Sequence, residues 1–182
     1  MGKEPLKKAF SWSSGFTLIE ILMSIVVLGI ISAGVTIFLF QGVKSLEKLD
    51  TTKDQTEEAA LAFERFAKES RLVRCAVAGG RCTPSSADIL TMTSSEVRFV
   101  NINGEAKRFR VSGGAFLFTD GSNPEVTLSG NVSNIAPFEY LKQDSTVAAL
   151  PADVWRIDIS LTLTRGSDSA DFKAGVHPRS FR

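Results

Sequence analysis

One stretch of the chain is long enough and apolar enough to cross a membrane. Residues 16–40 read FTLIEILMSIVVLGIISAGVTIFLF and contain a single ionisable side chain, Glu20. A helix of these residues, rising about 1.5 Å per residue, would be about 37 Å long, which exceeds a hydrocarbon core of about 30 Å. We therefore expect a single transmembrane helix over residues 16–40, surrounded by membrane lipid.

The numbers of lysines on the two sides of this run do not by themselves determine its direction across the membrane. Lysine and arginine near the ends of a span set its direction, and three lysines lie on each side, within residues 1–15 and residues 41–54. The short, free N-terminal segment nevertheless favours a cytoplasmic N-terminus. We expect a single-pass protein of the inner membrane with an extracytoplasmic C-terminal domain.

The charge of the chain is balanced. The sequence has 21 basic and 20 acidic residues and a formal net charge of +1. Without the three lysines and the glutamate of residues 1–15, the counts become 18 and 19. Non-specific nucleic-acid binding depends on an excess of basic residues, usually clustered. We therefore expect no nucleic acid among the partners.

The junction before the apolar run is unusual for an export signal. Residues 13–20 read SSGFTLIE, so the small residue Gly15 comes immediately before the run. An ordinary secretory signal has an apolar core of about 7–15 residues, with its small-residue cleavage site after that core. A plain single-span anchor would explain the length and the lysines but not this junction. Gly15 would give a protease at the membrane surface access to an extended peptide bond.

The residues GFTLIE at positions 15–20, after a basic leader and at the start of an apolar helix, resemble the signature of type IV prepilins and pseudopilins. The resemblance extends from Lys7 to about Phe40. It implies that residues 1–15 are a leader peptide, which a prepilin peptidase and methyltransferase removes after Gly15. It also implies that Phe16 becomes the N-methylated first residue and that Glu20 is the glutamate that guides assembly.

Two further features concern the kind of subunit. No proline lies between Pro5 and Pro84, so we expect no proline kink in the span. Many major pilins have a proline inside the membrane helix, and the absence of that proline here favours a minor subunit. Three C-terminal features are similar to minor pseudopilins of the J type in type II secretion and to related minor pilins, although Ser180 stands where those proteins often have asparagine. These features are Phe138-Glu139-Tyr140, the segment from Ile157 to Leu163, and Pro178-Arg179.

A helical pattern continues beyond the apolar run. Apolar residues recur at steps of three and four, with a polar interruption at residues 52–58, and lysines and glutamates occupy the other faces. The apolar positions are Val43, Leu46, Leu49, Ala60, Phe63, Phe66, Ala67 and Val73. We predict an amphipathic continuation of the helix over residues 41–78, ending near Arg74 to Gly79, where Gly79-Gly80 can stop it.

Residues 79–182 are typical of an antiparallel sheet. Residues 96–111 read EVRFVNINGEAKRFRV, which predicts a hairpin with a type I′ turn at Asn103-Gly104. Strict alternation predicts a strand from Trp155 to Thr164 with one buried face. Two shorter strands are predicted at Phe116–Phe118, stopped by Asp120-Gly121, and at Val126–Leu128. The expected fold is therefore α+β and pilin-like, with the long helix laid across the sheet.

The two cysteines, Cys75 and Cys82, lie beyond the apolar run and would face an oxidising compartment after export. A disulfide between them is the favoured interpretation, and two free thiols are the alternative. A zinc site with His177 as third ligand is disfavoured, because structural zinc normally takes four ligands and this cysteine spacing is uncommon. We predict neither a metal nor a cofactor.

The sequence offers no catalytic constellation. His177 is its only histidine, and neither a G-x-S-x-G nor a G-x-G-x-x-G motif occurs. Residues 107–110, KRFR, combine basic and aromatic side chains as single-stranded nucleic-acid sites do, but on a strand Phe109 would face away from Arg108 and Arg110. Residues 120–123, DGSN, carry oxygen atoms that suit calcium but lack the EF-hand spacing, and a turn explains them. We predict that the protein is not an enzyme.

The resemblance implies a structural subunit of a type IV pilus or of the pseudopilus of a type II secretion system. Its expected partners are other pilin or pseudopilin subunits, the prepilin peptidase and the assembly platform of the inner membrane. The alternative is a membrane-anchored extracytoplasmic binding module or enzyme that carries a pilin-like anchor.

Overall fold

The computed structural model describes residues 17–78 and 81–178, with the backbone alone for residues 76–78, 81 and 82. The chain forms two compact units, residues 1–48 and residues 49–182, and each is described by itself. One helix, α1 (Leu18–Ser70), begins in the first unit and ends in the second. In the first unit, residues 18–48 are helical throughout and their side chains are exposed.

The second unit adds antiparallel strands to the end of α1. They are β1 (Ala76–Ala78), β2 (Arg81–Thr83), β3 (Ile89–Met92), β4 (Glu96–Val100), β5 (Ala106–Ser112), β6 (Ala115–Asp120), β7 (Val126–Ser129), β8 (Phe138–Leu141), β9 (Arg156–Arg165) and β10 (Asp168–Val176), with a 3-10 turn at Pro151–Asp153. The strands pair as a hairpin β1-β2, a sheet β3-β4-β5-β6-β7 and a sheet β10-β9-β8. The predicted pilin-like α+β fold is confirmed.

The core of the second unit lies between α1 and the two larger sheets. Three helix residues with helical spacing, Ala59, Ala62 and Phe66, are almost fully buried. The ring of Phe66 meets Phe109 of β5 edge to face at 5.1 Å and lies 5.7 Å from Phe138 of β8. One aromatic side chain therefore joins the helix to both sheets, and apolar burial of this kind is the main source of stability in such a unit.

The polar interruption at residues 52–58 also contacts the sheets. The buried side chain of Gln55 donates from Nε2 to the carbonyl of Leu163 over 3.3 Å. The Oε1 atom of Glu58 accepts from the backbone N–H of Gly130 over 2.6 Å. Because buried polar groups need hydrogen-bond partners, these two residues fix the position of the helix on the sheets, which the sequence pattern did not indicate.

The helix ends at Ser70, earlier than the predicted range from Arg74 to Gly79. Beyond Ser70 the backbone bonds to the β4-β5 loop, because Ile102 donates to the carbonyl of Leu72 and Arg74 donates to that of Val100. These bonds, at 2.9 and 2.8 Å, replace helical ones, and Val73 is fully buried. The predicted amphipathic continuation over residues 41–78 is therefore too long at its C-terminal end.

The hairpin predicted over residues 96–111 is present, but its turn is not of type I′. A type I′ turn needs a positive φ at both central residues, and here only Gly104, at φ 84°, has one, whereas Asn103 does not. The loop is wider. The backbone N–H of Asn101 donates to the carbonyl of Glu105, and the carbonyl of Asn101 accepts from the N–H of Gly104. The side-chain Oδ1 of the buried Asn101 accepts from the N–H groups of Asn103 and Glu105, at 3.0 and 2.9 Å.

The strand predicted from Trp155 to Thr164 corresponds to β9, which begins one residue later at Arg156. Its side chains at positions 157, 159, 161 and 163 are buried as predicted, whereas Trp155 precedes the strand and is only partly buried. The short strands predicted around Phe116 and Val126 are β6 and β7. No pattern in the sequence predicted β1, β2, β3, β8 or β10. Of these, β10 extends over nine residues and forms one edge of its sheet.

Candidate functional site at the head of the long helix

The first turn of α1 is capped by the residue that precedes it. The backbone N–H of Glu20 lies 3.0 Å from the carbonyl oxygen of Thr17 and 3.4 Å from its Oγ1. Threonine followed three residues later by glutamate is the sequence of a capping box. The carboxylate of Glu20 also stands in the first turn, where the helix dipole favours a negative charge.

The following residues present an apolar surface on every side. Each large apolar side chain from Leu18 to Phe40 is at least half exposed or nearly so, from 49% at Val26 to 83% at Leu18. Two hydroxyl groups in this stretch bond back to the helix, because Ser24 donates to the carbonyl of Glu20 and Thr36 to that of Ser32, at 2.7 and 2.8 Å. Their polar atoms are thereby satisfied inside an apolar medium.

By length and composition, α1 is the one helix in the described part of the chain that qualifies as a membrane span. None of its most apolar 18-residue stretch is buried within the protein. An all-round apolar helix needs an apolar environment from outside the chain. The lone carboxylate of Glu20 in such an environment requires a partner, and no basic group of residues 17–78 or 81–178 bonds to it.

The predicted cleavage and methylation residues, Gly15 and Phe16, lie outside the described residues, as does the predicted leader, residues 1–15. Their roles therefore stay predictions. The structure places Glu20 in the first turn of α1, four residues after Phe16 in the sequence.

The two cysteines lie near the end of α1. Cys75 is disulfide-bonded. Cys82 is in β2, among the residues described by backbone alone, where it stands opposite Val77 in the register of the β1-β2 hairpin. The bond between Cys75 and Cys82 stays a prediction. His177, the other residue considered for a metal site, is exposed, with its ring 6.1 Å from that of Trp155.

The basic segment in β5 has the orientation that alternation predicted. Phe109 is fully buried, whereas Arg108 and Arg110 point to the other face and pair with Glu96 and Glu125 at 2.6 Å. The two arginines therefore do not share a surface with Phe109, whereas Lys107 is buried on the same face as that ring. Residues 120–123 form a turn in which the N–H of Asn123 donates to the carbonyl of Asp120 over 2.9 Å.

The second unit contains buried ionic groups that the sequence pattern did not indicate. Lys107 is 4% exposed and pairs with Glu105, at 2.9 Å, and with Asp120. Asp88 is 2% exposed and pairs with Arg74. No spacing in the sequence signals either cluster, since the partners come from different elements. Both clusters link different segments of the second unit. In sequence they lie far from the head of α1, that is, from its N-terminal end at Leu18.

The match to a known family lies at the N-terminal end of α1. The family described as "Prokaryotic N-terminal methylation motif" matches residues 13–36. No curated protein matches the chain significantly. The matched residues are a prepilin-type signal and imply processing by a prepilin peptidase. Together with the pilin-like fold, they indicate a type IV pilin-like protein that is anchored in a membrane before assembly.

Proposed function

We propose that this protein is a minor pilin or pseudopilin, a non-catalytic structural subunit of a type IV pilus or of a type II secretion pseudopilus. One observation carries the proposal. The methylation motif at residues 13–36 leads into a continuous helix whose apolar residues 18–40 are exposed and whose residues 49–70 pack on antiparallel sheets. A helix with this division of surfaces suits a subunit that first anchors in lipid and then packs against other subunits.

In the proposed maturation, hydrolysis of the Gly15–Phe16 peptide bond releases the leader and leaves a free amine on Phe16. The amine then attacks the methyl group of a methylsulfonium donor, which leaves as a thioether while the nitrogen loses a proton. The new amine belongs to the residue four positions before Glu20 in the sequence, and the carboxylate of Glu20 bonds to no basic group among the described residues 17–78 and 81–178. Cleavage therefore creates a cation that can pair with the carboxylate of Glu20. The stability of a charged pair in an apolar environment depends strongly on the relative position of its two groups.

Assembly exchanges one apolar environment for another. The side chains of residues 18–40 leave the lipid and pack against the corresponding helices of neighbouring subunits, so their exposure in the isolated chain is an expected property of a subunit. The sheet unit remains outside, with the N-terminus toward the cytoplasm before extraction. The disulfide at Cys75 suits that extracytoplasmic location, because disulfides persist in oxidising compartments.

Within this class, we propose a minor subunit of the J type or a related minor pilin. The support is the sequence similarity at residues 138–140 and 178–179 and the absence of a proline kink in α1. Its partners would be other pilin or pseudopilin subunits and the assembly platform of the inner membrane. Co-purification of the untagged subunits with the tagged chain from sheared filaments or from the envelope would identify which system it serves.

The decisive experiment measures the N-terminus of the mature protein. The full chain is expressed with and without a prepilin peptidase and analysed by intact-mass and peptide mass spectrometry. We expect a mature chain that begins with N-methylated Phe16. Gly15→Val should leave the precursor uncut, because the added branched side chain obstructs an extended backbone, whereas the small Gly15→Ala serves as the control. A mature N-terminus at another residue, or cleavage without the peptidase, would overturn the proposal.

A further inference from the structure

The strand β10 forms an open edge of the three-stranded sheet. It pairs with β9 over its whole length, from Asp168 to Val176, without a register shift. The edges of the other large sheet are short and irregular, because β3 and β7 each have four residues and a register shift against their neighbours. The outer edge of β8 is covered, since Tyr140 accepts from Ala148 and Phe138 donates to Ser94.

Proteins usually protect long edges with bulges, prolines or covering loops, because an open edge pairs with other strands. Among the residues that the structure describes, β10 has no proline, no register shift and no loop bonded to its outer edge, and its charged side chains are Asp168, Asp171 and Lys173. Its nine residues are therefore the exception in a protein whose other sheet edges are blunted.

The hydrogen-bond pattern of β9 shows which groups of β10 are free. Ser160 and Thr164 donate to carbonyls on the β8 side of β9, at Pro137 and Asn131. Since backbone groups alternate in direction along a strand, the odd-numbered residues of β9 bond to β10, and their partners there are even-numbered. The N–H and C=O groups of Ser169, Asp171, Lys173 and Gly175 therefore point to the open edge.

A groove adjoins the C-terminal half of this edge. Its apolar lining comes from Phe63 and Ala67 of α1 and from Ala174 and Val176 of β10, and its volume is about 730 Å³. Phe63, Ala67 and Ala174 are only partly buried against the core. A strand added beside β10 would direct every second side chain to this inner face. We call this site the edge groove.

The rim of the edge groove carries more positive than negative charge. Lys68 and Arg71 stand on it together with Glu64. All three are exposed, and neither Lys68 nor Arg71 forms an ion pair with any residue in the ranges that the structure describes. Most other arginines of the second unit are paired with a carboxylate, as at Arg74, Arg108 and Arg110. Two unpaired cations on the rim favour an acidic occupant.

We propose that the open edge of β10 binds an extended segment of a partner protein as an additional strand. The partner segment has apolar side chains at alternate positions, which enter the edge groove, and an acidic side chain near Lys68 and Arg71. Backbone bonds to the odd-numbered residues of β10 supply affinity, and the groove and its cations supply specificity, as in other cases of strand addition. The inference is independent of filament assembly, because a strand can be added to β10 whatever machine the subunit joins.

The full chain in detergent micelles or nanodiscs is used to select binders from a displayed library of random nine-residue peptides. We expect the selected sequences to alternate apolar and polar residues and to contain aspartate or glutamate. Amide exchange is then measured at single-residue resolution with one synthetic selected peptide. Exchange should slow at Ser169, Asp171, Lys173 and Gly175, whereas the amides of Ala170, Phe172 and Ala174 should be slow with and without the peptide.

Two pairs of variants test the mode of binding. Lys173→Pro removes an N–H that points to the open edge, a position at which sheets tolerate proline, and Lys173→Thr keeps that N–H. Affinity for the peptide should fall at least about tenfold in the first and stay within about twofold in the second. Lys68→Glu with Arg71→Glu should weaken an acidic peptide, whereas Lys142→Glu, on a residue that pairs with Asp153, should not. Slow exchange at Ala170 and Ala174 verifies that Lys173→Pro is folded, and Asp171→Pro replaces it if it is not.

Several results would overturn the proposal. One is that no peptide is selected, and another is that the selected peptide slows exchange only outside β10. A third is equal affinity of the proline and threonine variants for the peptide. A fourth is slow exchange at the odd-numbered residues without peptide, together with a dimeric mass in sedimentation. That last result would assign the edge to a second copy of this chain.

Discussion

Arg74 donates from its Nε to Oδ1 of the buried Asp88 over 2.8 Å. The other carboxylate oxygen of Asp88 accepts from the backbone N–H and the hydroxyl of Ser85, at 3.0 and 2.6 Å. The backbone carbonyl of Asp88 accepts from the N–H of Val100 over 2.8 Å. One aspartate therefore links the segment after α1 to the start of β3 and the end of β4.

The first prediction follows from the burial of this carboxylate. Asp88→Asn keeps the shape but removes the charge, so the bonds from Arg74 and Ser85 lose strength. We expect the free energy of unfolding to fall by about 1.5–3 kcal/mol, the range for hydrogen bonds to charged groups. Asp153→Asn, at an exposed pair with Lys142, should cost less than about 1 kcal/mol. Urea unfolding in non-ionic detergent, followed by Trp155 fluorescence, measures both, and equal costs would contradict the prediction.

The same pair predicts a dependence on pH. Burial raises the pKa of Asp88, but hydrogen bonds from Ser85 and Arg74 outweigh burial and hold that pKa below its ordinary value. A lowered pKa in the folded state means that the stabilisation is complete above the unfolded value, about 3.9, and is lost as the pH falls further. The stability difference between the native chain and Asp88→Asn should therefore be constant near neutral pH and shrink below about pH 4. A difference that grows on acidification would contradict this.

The third prediction concerns the two sides of a buried ion pair. Lys107 is buried, whereas its partners Glu105 and Asp120 are 55% and 36% exposed. Burial lowers the pKa of Lys107, but bonds to Asp120 and Glu105 outweigh it, so the pKa is raised and the amine stays charged. Asp120→Asn leaves that cation with one carboxylate and should cost about 1–3 kcal/mol. Lys107→Met frees two carboxylates that water reaches, and we expect a smaller cost.

Urea unfolding measured on both variants decides between the two sides of the pair. The reverse order of costs would show that the carboxylates, not the amine, depend on the contact. The double variant Lys107→Met with Asp120→Asn separates their coupling from independent effects, since residues in contact give non-additive costs.

The fourth prediction is the disulfide between Cys75 and Cys82. A loop this short should contribute about 2–3 kcal/mol in the chain-entropy model, with strain able to reduce it. Replacing both cysteines by alanine should lower the stability by that amount without changing amide protection in β9. Intact-mass measurement after alkylation without reduction checks the bond itself. Modification of both thiols in protein from the envelope would contradict it.

The sequence predicted those elements in which one face is buried and the other is exposed to solvent. The alternation from Trp155 to Thr164 predicted β9 because apolar and polar residues there occupy opposite faces. The inner residues of β10 include Ala170 and Ala174, which are small and half-buried, so that edge strand gave no clear alternation. The apolar Val73 continued the helical spacing, but its buried position belongs to a bridge with Asn101 and not to α1.

Polar residues inside the fold were the least predictable part. A lysine such as Lys107 has the same local sequence features whether it is solvated or buried, and only the pairing of β5 with β6 brings Asp120 to it. The head of α1 is the opposite case. Its motif is contiguous, so residues 13–36 contain the whole signal that identifies the site, and the fold adds little to that identification.

The last prediction concerns Glu20 in the apolar part of α1. A carboxylate in an apolar medium is costly unless it has a partner. Before the proposed cleavage, the nitrogen of Phe16 is part of an uncharged peptide bond. After cleavage, the amine of Phe16 is about one helical turn from Glu20 along the same chain. In a staggered bundle, the carboxylate of an incoming subunit can instead meet the amine of its neighbour, and a wrong register would leave both charges unpaired. We therefore expect Glu20 to act in assembly and not in membrane insertion or folding.

Glu20→Gln keeps the size and polarity of the side chain but removes its charge. We expect normal insertion, normal cleavage after Gly15 and unchanged amide protection in β9, but methylation or incorporation into sheared filaments reduced at least about tenfold, since breaking a buried pair is costly. Ser24→Ala is the matched control, because Ser24 lies one turn further along the same face and its hydroxyl bonds only to the carbonyl of Glu20. That variant should assemble as the native chain does. Native levels of incorporation and methylation in Glu20→Gln would contradict the pairing with the Phe16 amine, whereas unchanged cleavage alone would not.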